Sequence, residues 1–297
     1  MKSFGMLAAA LSVLVLCPDV SGAAYREVVK EVLTYKAVKG DFIEKIAGVN
    51  GVEVSYLFEQ NPKYLKKKLI HPGDDFSIVR RTIIPDTIRD GTLINIADKT
   101  LYRFRDGQLI SHYPVGLGMR KTLWQTPAGK YVVKGKEKNP TWHVPKLIQK
   151  EMADKGKAVK EVVPPGDDNP LGRFAVRLSM DGYLIHETIW PESIYKFRSH
   201  GCIRMKPGDA EKFFSEVSRG EKVTIIYEPV KVAVTDTGRV FVEVHEDAYG
   251  KSGDLYEIAS GEITGAGAKD RVDWDKVRRI VDKKSGVAED ITLEHGR

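Results

Sequence analysis

Apolar and polar residues alternate with a period of two through "TLINIADKTLYRFRDGQLISHYPVGLG" (92–118). Such alternation predicts strands, and Ala97-Asp98-Lys99 and Asp106-Gly107 predict the turns between them. "TPAGKYVVKGK" (126–136) adds a strand after a Pro-containing turn, and "RFAVRLSMDGYLIHET" (173–188) reads as a hairpin turning at Asp181-Gly182. "DAEKFFSEVSRG" (209–220) predicts a helix from Asp209 to Gly220, and "EKVTIIYEPV" (221–230) a closing strand. Residues 92–227 are therefore expected to form a mainly β domain with one or two helices. The segment 143–169 departs from this rhythm. It is charged, partly helical and ends in Pro-Pro-Gly, which predicts a surface loop or lid.

The flanking regions follow other patterns. Residues 25–34 are expected to form a short helical lead-in. At 35–80 the order strand, turn, helix, loop, helix, turn, strand predicts a small α+β unit. Tyr35–Val38 is its first strand, and Asp41 is placed to cap a helix carrying Phe42, Ile43, Ile46 and Ala47. Val54, Leu57 and Phe58 mark a second helix that ends at Asn61-Pro62, and Phe76–Val79 closes the unit. Pro85 to Gly91 reads as a linker. Beyond the β domain, "VKVAVTDTGRVFVEVHED" (230–247) predicts a hairpin around Asp236-Thr237-Gly238. "DWDKVRRIVDKKSG" (273–286) predicts an amphipathic helix with Trp274, Val277, Ile280 and Val281 on one face. This extension, 228–297, is expected to prolong the neighbouring sheet and lay its helix across it. His245 reads as a surface or packing residue.

The first residues set the compartment. Met1-Lys2, the apolar run "FGMLAAALSVLVL" (4–16) and small residues up to Ala23 predict a cleavable secretory signal peptide, 1–23. Leu16 stands where a lipoprotein motif needs a small residue before Cys17. No later stretch has eighteen apolar residues in a row, so no membrane span is expected after leader cleavage. The 297 residues carry a net charge of +6, unevenly placed. Residues 85–227 hold 24 Lys and Arg against 17 Asp and Glu, whereas 228–297 hold 11 against 15. A basic middle points to an anionic polymer or a carboxylate-bearing substrate. Export and the lack of a nucleic-acid motif argue against nucleic acid.

An exported chain normally pairs its cysteines. This one has two, and Cys17 lies in the leader, so Cys202 in "SHGCIRM" (199–205) has no partner after cleavage. A single thiol is a buried core residue, an intermolecular bridge or a nucleophile. A nucleophilic thiol needs a base, an orienting group for that base, and donors for the oxyanion. His186, sixteen residues earlier at a strand end, is the first candidate base, and His200 the second. Gly201 permits a tight bend that can aim the amides of Gly201 and Cys202 at one oxygen. No Cys/His cluster has metal-ligand spacing, so neither a metal nor another cofactor is expected.

The combination "IHET…SHGCIRM" resembles the L,D-transpeptidase catalytic domain. His186, Ser199, His200, Gly201, Cys202, Ile203 and Arg204 fall on its motif. Thr126-Pro127-x-Gly129-x-Tyr131, Asn139-Pro140-x-Trp142 and Pro170-Leu171-Gly172 agree upstream. The resemblance covers about 92–227 and implies a β-sandwich catalytic domain that works on peptidoglycan in the periplasm or cell wall. It implies that His186 takes the thiol proton to give a thiolate–imidazolium pair. Cys202 then attacks a tetrapeptide stem, D-alanine leaves, and an amine resolves the thioester into a 3–3 cross-link. It assigns the orienting group to the backbone carbonyl after the histidine. Glu187 stands there in place of the usual Gly, where its side chain can narrow the pocket or alter the choice of acceptor. His200, Gly201, Ser199 and Arg204 are expected to shape the site or meet substrate carboxylates, with Ser199 bonding His200.

The unit at 35–80 resembles the LysM domain, a βααβ module that binds N-acetylglucosamine-containing glycans. Tyr35, Val38, Gly40-Asp41, Ile46-Ala47, Leu57, Asn61-Pro62 and Pro72-Gly73 carry that likeness, with Phe42 in place of the usual Thr. A docking module that binds no glycan is the alternative. For the whole chain three acceptors fit the site: a stem amine, a protein lysine, or water, the last making an L,D-carboxypeptidase. The reading from another class is a non-catalytic wall-binding protein, against which the retention of both His186 and Cys202 argues.

Overall fold

A computed structural model describes residues 25–65 and 69–294. The expected signal peptide, with Cys17, lies outside these residues. No helix among the described residues is long and apolar enough to cross a membrane.

The chain opens with a long two-stranded ribbon, β1 (Tyr25–Lys36) antiparallel to β2 (Asp75–Pro85). The expected helix at 25–34 is thus a strand. Val32 opposite Val79 and Leu33 opposite Ile78 give this β-branched stretch a hydrogen-bonding partner that its local helical spacing does not foresee. Between the strands lie two short helices, α1 (Ile43–Val49) and α2 (Val54–Gln60), over a core of Ile46, Leu57, Tyr64, Phe76 and Ile78. Phe42, not Asp41, takes the N-cap position of α1. The Asp41 carboxylate instead accepts the Val38 amide at 2.9 Å and the Tyr35 hydroxyl at 2.8 Å, closing the turn. The small unit is not tethered by a loose linker. β2 runs directly into Pro85, and Gly48 on α1 approaches the Ile194 carbonyl so closely that a Cβ would lie 2.5 Å from it. Lys206 donates to the Val49 carbonyl at 3.1 Å across the same contact.

The main β domain is built on β3 (Gly91–Asn95), β4 (Thr100–Arg105), β5 (Gln108–Pro114), β7 (Gly129–Lys138), β10 (Phe174–Leu178), β11 (Leu184–Glu187), β13 (Ile203–Met205) and β14 (Lys222–Ile226). They form one mixed sheet in the order β13-β11-β10-β7-β14-β3-β4-β5. Its two edges meet. Gly116, two residues beyond β5, exchanges backbone hydrogen bonds of 2.8 Å with Arg204 in both directions. The curled sheet encloses Ile94, Leu101, Val133, Val176, Ile185, Ile203, Met205 and Ile225, with Phe213 of α4 (Asp209–Glu216) sealing one side. A short parallel pair, β6 (Leu117–Gly118) with β12 (Phe197–Ser199), lies beside the closure. The segment 143–169 carries the small pair β8 (Trp142–His143) and β9 (Val162–Val163) and a helix, α3 (Lys146–Asp154). Leu147 and Val162 are half exposed there, as a surface segment requires.

The C-terminal extension does not prolong this sheet. β15 (Val230–Val234), β16 (Val240–Val244) and β17 (Glu289–Asp290) form their own three-stranded sheet. Two helices cover it, α5 (Leu255–Gly265) and α6 (Trp274–Lys283), around Val232, Val242, Ala259, Ile263, Val277 and Ile280. α6 fits the amphipathic pattern, with Asp273 accepting the Lys276 amide as its cap. α5 is additional, although Asp254 caps it and Leu255, Ala259 and Ile263 recur every four residues.

One buried cluster joins all three parts. Lys231 of β15 donates to Asp98 in the β3–β4 turn at 2.9 Å, to Glu243 of β16 at 2.7 Å and to the Ile83 carbonyl of β2 at 3.1 Å. His245 is buried as well and bonds Glu243 at 2.6 Å, so of the two expectations it is the packing residue and not a surface one. Burial disfavours the Lys231 ammonium, but the two carboxylates outweigh it and hold its pKa above the usual lysine value. Asp98, Glu243 and His245 bring donor atoms within 4.8 Å of one another. Their negative charge is met by this ammonium, which occupies the role a cation would have.

Candidate active site

Ile185 of β11 points into the main core, so the alternation of the strand turns His186 to the opposite face. β13 runs parallel beside it, with Ile203 opposite Ile185 and Arg204 opposite His186. Ile203 and Met205 are fully buried in the core. Cys202 and Arg204, on the alternate positions, therefore share the His186 face. The fifteen residues between His186 and Cys202 leave β11, pass through β12 and return to the start of β13, bringing the two residues to neighbouring segments.

His186 is buried, and its Nδ1–H donates to the Glu187 carbonyl at 2.6 Å. A carbonyl only accepts, so the proton sits on Nδ1 and Nε2 is left as the basic nitrogen. The backbone of Glu187 thus orients the histidine, as the resemblance implies. Its side chain takes another course. It lies over Gly172, where a Cβ would come within 2.7 Å of Glu187 Cβ, and Oε1 accepts from Arg173 Nε at 3.2 Å. Oε2 is buried and has no hydrogen-bond partner among the described residues.

The loop before the nucleophile is held from within. The Ser199 hydroxyl donates to the Cys202 carbonyl at 2.6 Å and accepts the Gly201 amide at 3.1 Å. Two expectations change here. Ser199 braces the cysteine loop and does not bond His200. The Gly201 amide is already engaged, so it is not a free oxyanion donor. Gly201 has φ +109°, and a Cβ there would lie 2.5 Å from the Tyr183 ring, so both backbone and space require glycine. The Gly201 carbonyl accepts the Thr126 hydroxyl at 2.8 Å. The half-buried Cys202 thiol faces the Gly182 carbonyl at 3.7 Å.

His200 points to the insert. Its Nε2 lies 2.7 Å from the Glu151 carboxylate of α3, and its ring meets Trp124 edge-on at 4.6 Å. The insert therefore docks on the cysteine loop. Glu151 also pairs with Lys155, and the hydrogen bonds from Lys155 and His200 hold its carboxyl below the usual carboxylate range. Arg204 is partly buried, its guanidinium 5.3 Å from the Trp190 ring. Beside the thiol, a cavity of about 190 Å³ is lined by Lys134, Arg177, Ser179, Gly182, Tyr183 and Leu184. Glu151, Trp124 and Tyr183 carry no motif of their own, and only the closed fold brings them here. Thr126 lies in the "TPAGKY" stretch but gives no sign of its partner.

Burial governs the electrostatics. It drives the His186 imidazole down to about 4, against smaller upward pulls from the Glu187 and Leu171 backbone. It pushes the Cys202 thiol up, opposed in part by the Leu184 backbone and Arg204. Both directions favour a neutral thiol beside a neutral imidazole at rest, not the ion pair that the resemblance implies.

A loop-borne thiol, a strand-borne histidine with a fixed tautomer and no second cysteine among the described residues define a cysteine-dependent acyl-transfer enzyme. Residues 90–225 match the YkuD family, the L,D-transpeptidase catalytic domain. The chain is 33% identical over 259 residues to "Probable L,D-transpeptidase YcfS" of Escherichia coli (strain K12), covering 85% of this chain and 81% of that protein. It is 30% identical over 258 residues to "Probable L,D-transpeptidase YbiS" of the same organism, covering 82% of each. Among solved structures, an L,D-transpeptidase from Mycobacterium smegmatis aligns with 69% of this chain and 95% of its own, at 16% identity and a TM-score of 0.35. The chain belongs to the L,D-transpeptidase family.

Proposed function

We propose that this enzyme is an exported peptidoglycan L,D-transpeptidase in which Cys202 is the nucleophile and His186 its base. The observation that carries this reading is the parallel register of β11 and β13, which brings Cys202, the residue before β13, alongside the strand that bears His186, with His186 Nδ1 anchored on the Glu187 carbonyl. His186 Nε2 takes the proton as sulfur bonds to the carbonyl carbon of the stem's third residue. D-alanine departs with that proton on its amine, leaving a thioester on Cys202. An acceptor amine then attacks the thioester, gives up its proton to His186, and frees the thiol as the 3–3 cross-link forms. The steps need neither metal nor redox cofactor.

Arg204, partly buried against Trp190 and next to β11, suits a stem peptide bearing a carboxylate. The βααβ order and the Asp41-closed turn support reading 35–80 as a LysM-like module that holds glycan strands near the catalytic domain. The apolar leader at 1–23 supports export to the periplasm or cell wall.

The test is incubation of the mature protein with tetrapeptide muropeptides, wild type beside Cys202→Ala, followed by mass spectrometry. Cross-linked dimers lacking one D-alanine, absent with the variant, are expected. Trimmed monomers alone assign water as the acceptor. Unchanged muropeptides together with no carbapenem adduct on Cys202 refute the catalytic reading.

A further inference from the structure

The C-terminal extension reaches the cysteine loop through one buried hydroxyl. Tyr249, just past β16, is nearly fully buried, stacked on Tyr227 at 5.5 Å and packed against Phe197 at 5.3 Å. Its hydroxyl donates to the Gly118 carbonyl at 2.8 Å and accepts the Thr126 amide at 3.1 Å. Gly118 and Thr126 are tied to each other as well. The Gly118 amide donates to Thr126 Oγ1 at 2.9 Å, and that hydroxyl donates onward to the Gly201 carbonyl at 2.8 Å. The path from the extension to the residue before Cys202 is thus continuous, and both hydroxyls in it donate one bond and accept another.

The clamp is held from behind. The Tyr249 amide donates to the Tyr227 hydroxyl at 2.7 Å, and that hydroxyl donates to Asp247 at 2.5 Å. Asp247 also accepts the amides of Lys251 and Ser252. Arg120, two residues past Gly118, forms a two-point pair with Glu246 at 2.7 Å for each bond. No Cβ fits at Gly118, which would meet the Trp124 carbonyl at 2.1 Å. Such a tight three-way approach is built for fixed spacing.

We infer that Tyr249 and Thr126 are positioning residues for the reaction, and that the extension serves catalysis by fixing the Gly201 carbonyl and so the direction of the Cys202 thiol. The inference rests on the reading of Cys202 as the nucleophile. A thiol displaced by a fraction of an ångström loses rate through orientation, with substrate binding left intact.

The experiment uses the full mature chain and four variants: Tyr249→Phe, Thr126→Val, Thr126→Ser and the double variant Tyr249→Phe with Thr126→Val. It reads the acylation rate of Cys202 by ertapenem, kcat and KM on a tetrapeptide substrate, and thermal stability. Tyr249→Phe and Thr126→Val are expected to lower acylation and kcat on the order of tenfold, with KM within about twofold. Thr126→Ser retains the hydroxyl and is expected to stay near wild type. The double variant is expected to be about as slow as the slower single one, because both break one path. If Tyr249→Phe does not fold, the Thr126→Val and Thr126→Ser pair decides. An active wild type with both single variants at its rate, or a loss confined to KM, overturns the clamp. A wild type that takes up no ertapenem overturns the parent reading instead.

Discussion

The resting state of the thiol is the sharpest consequence of burial at this site. In water an ordinary thiol and imidazole titrate near 8.5 and 6.5, about two units apart. With His186 held down to about 4 and the thiol pushed upward by burial, that gap widens. Each shift moves its group toward the neutral form, so the neutral pair is the expected resting state. The perturbation is pH, and the assay is alkylation of Cys202 by iodoacetamide between pH 5 and 10, quantified by mass spectrometry. The rate is expected to climb about tenfold per unit through neutral pH, with no acid plateau. His186→Gln is expected to leave that profile unchanged in shape. The same substitution is expected to slow carbapenem acylation on the order of 10²- to 10⁴-fold, since the base acts only as the carbonyl is attacked. A flat alkylation rate from pH 5 to 8 that disappears in His186→Gln refutes the reasoning and restores the resting ion pair.

The buried neutral imidazole also makes stability pH-dependent. The unfolded chain binds a proton near 6.5 and the folded one only near 4, so stability is full above 6.5 and falls by up to about 3 kcal/mol on acidification to pH 4; urea unfolding of wild type and His186→Gln at pH 7 and 4.5 measures it, and equal losses in both contradict it. Gly201→Ala must place a Cβ at φ +109° against the Tyr183 ring, so it is expected to lose about 1–3 kcal/mol and most acylation by carbapenem. Lys231→Met leaves Asp98 and Glu243 buried without their cation and is expected to cost about 3–5 kcal/mol in urea unfolding. Glu187→Gln leaves the backbone carbonyl that holds His186 in place, so kcat/KM is expected to remain within about threefold; a hundredfold loss assigns the carboxylate a direct role.

The strands of the β domain, the Asp181-Gly182 hairpin, α4 and α6 follow from local spacing and turn residues, which each segment carries within itself. The "HGC" bend was legible for a similar reason: φ +109° at Gly201 is a backbone demand that only glycine meets easily. His186 and Cys202 were legible as a candidate pair from the motif that resembles the L,D-transpeptidase domain, and the register of β11 beside β13 depends on the fold. Other features depended on partners distant in sequence. β1 is a strand because β2, about fifty residues on, supplies its ladder. The extension became a separate sheet because β17 and α5 give it a core of its own. Gly201 lost its role as an oxyanion donor to a serine two residues away, through a loop geometry that no pattern encodes. The His200–Glu151, Lys231–Asp98 and Tyr249–Gly118 contacts join residues 49, 133 and 131 positions apart. Sequence by itself determined which residue types were available for chemistry and which faces were apolar, since those are local properties. Only the closed sheet decided which polar groups meet, because a buried donor or acceptor is satisfied by whatever the tertiary packing brings within about 3 Å.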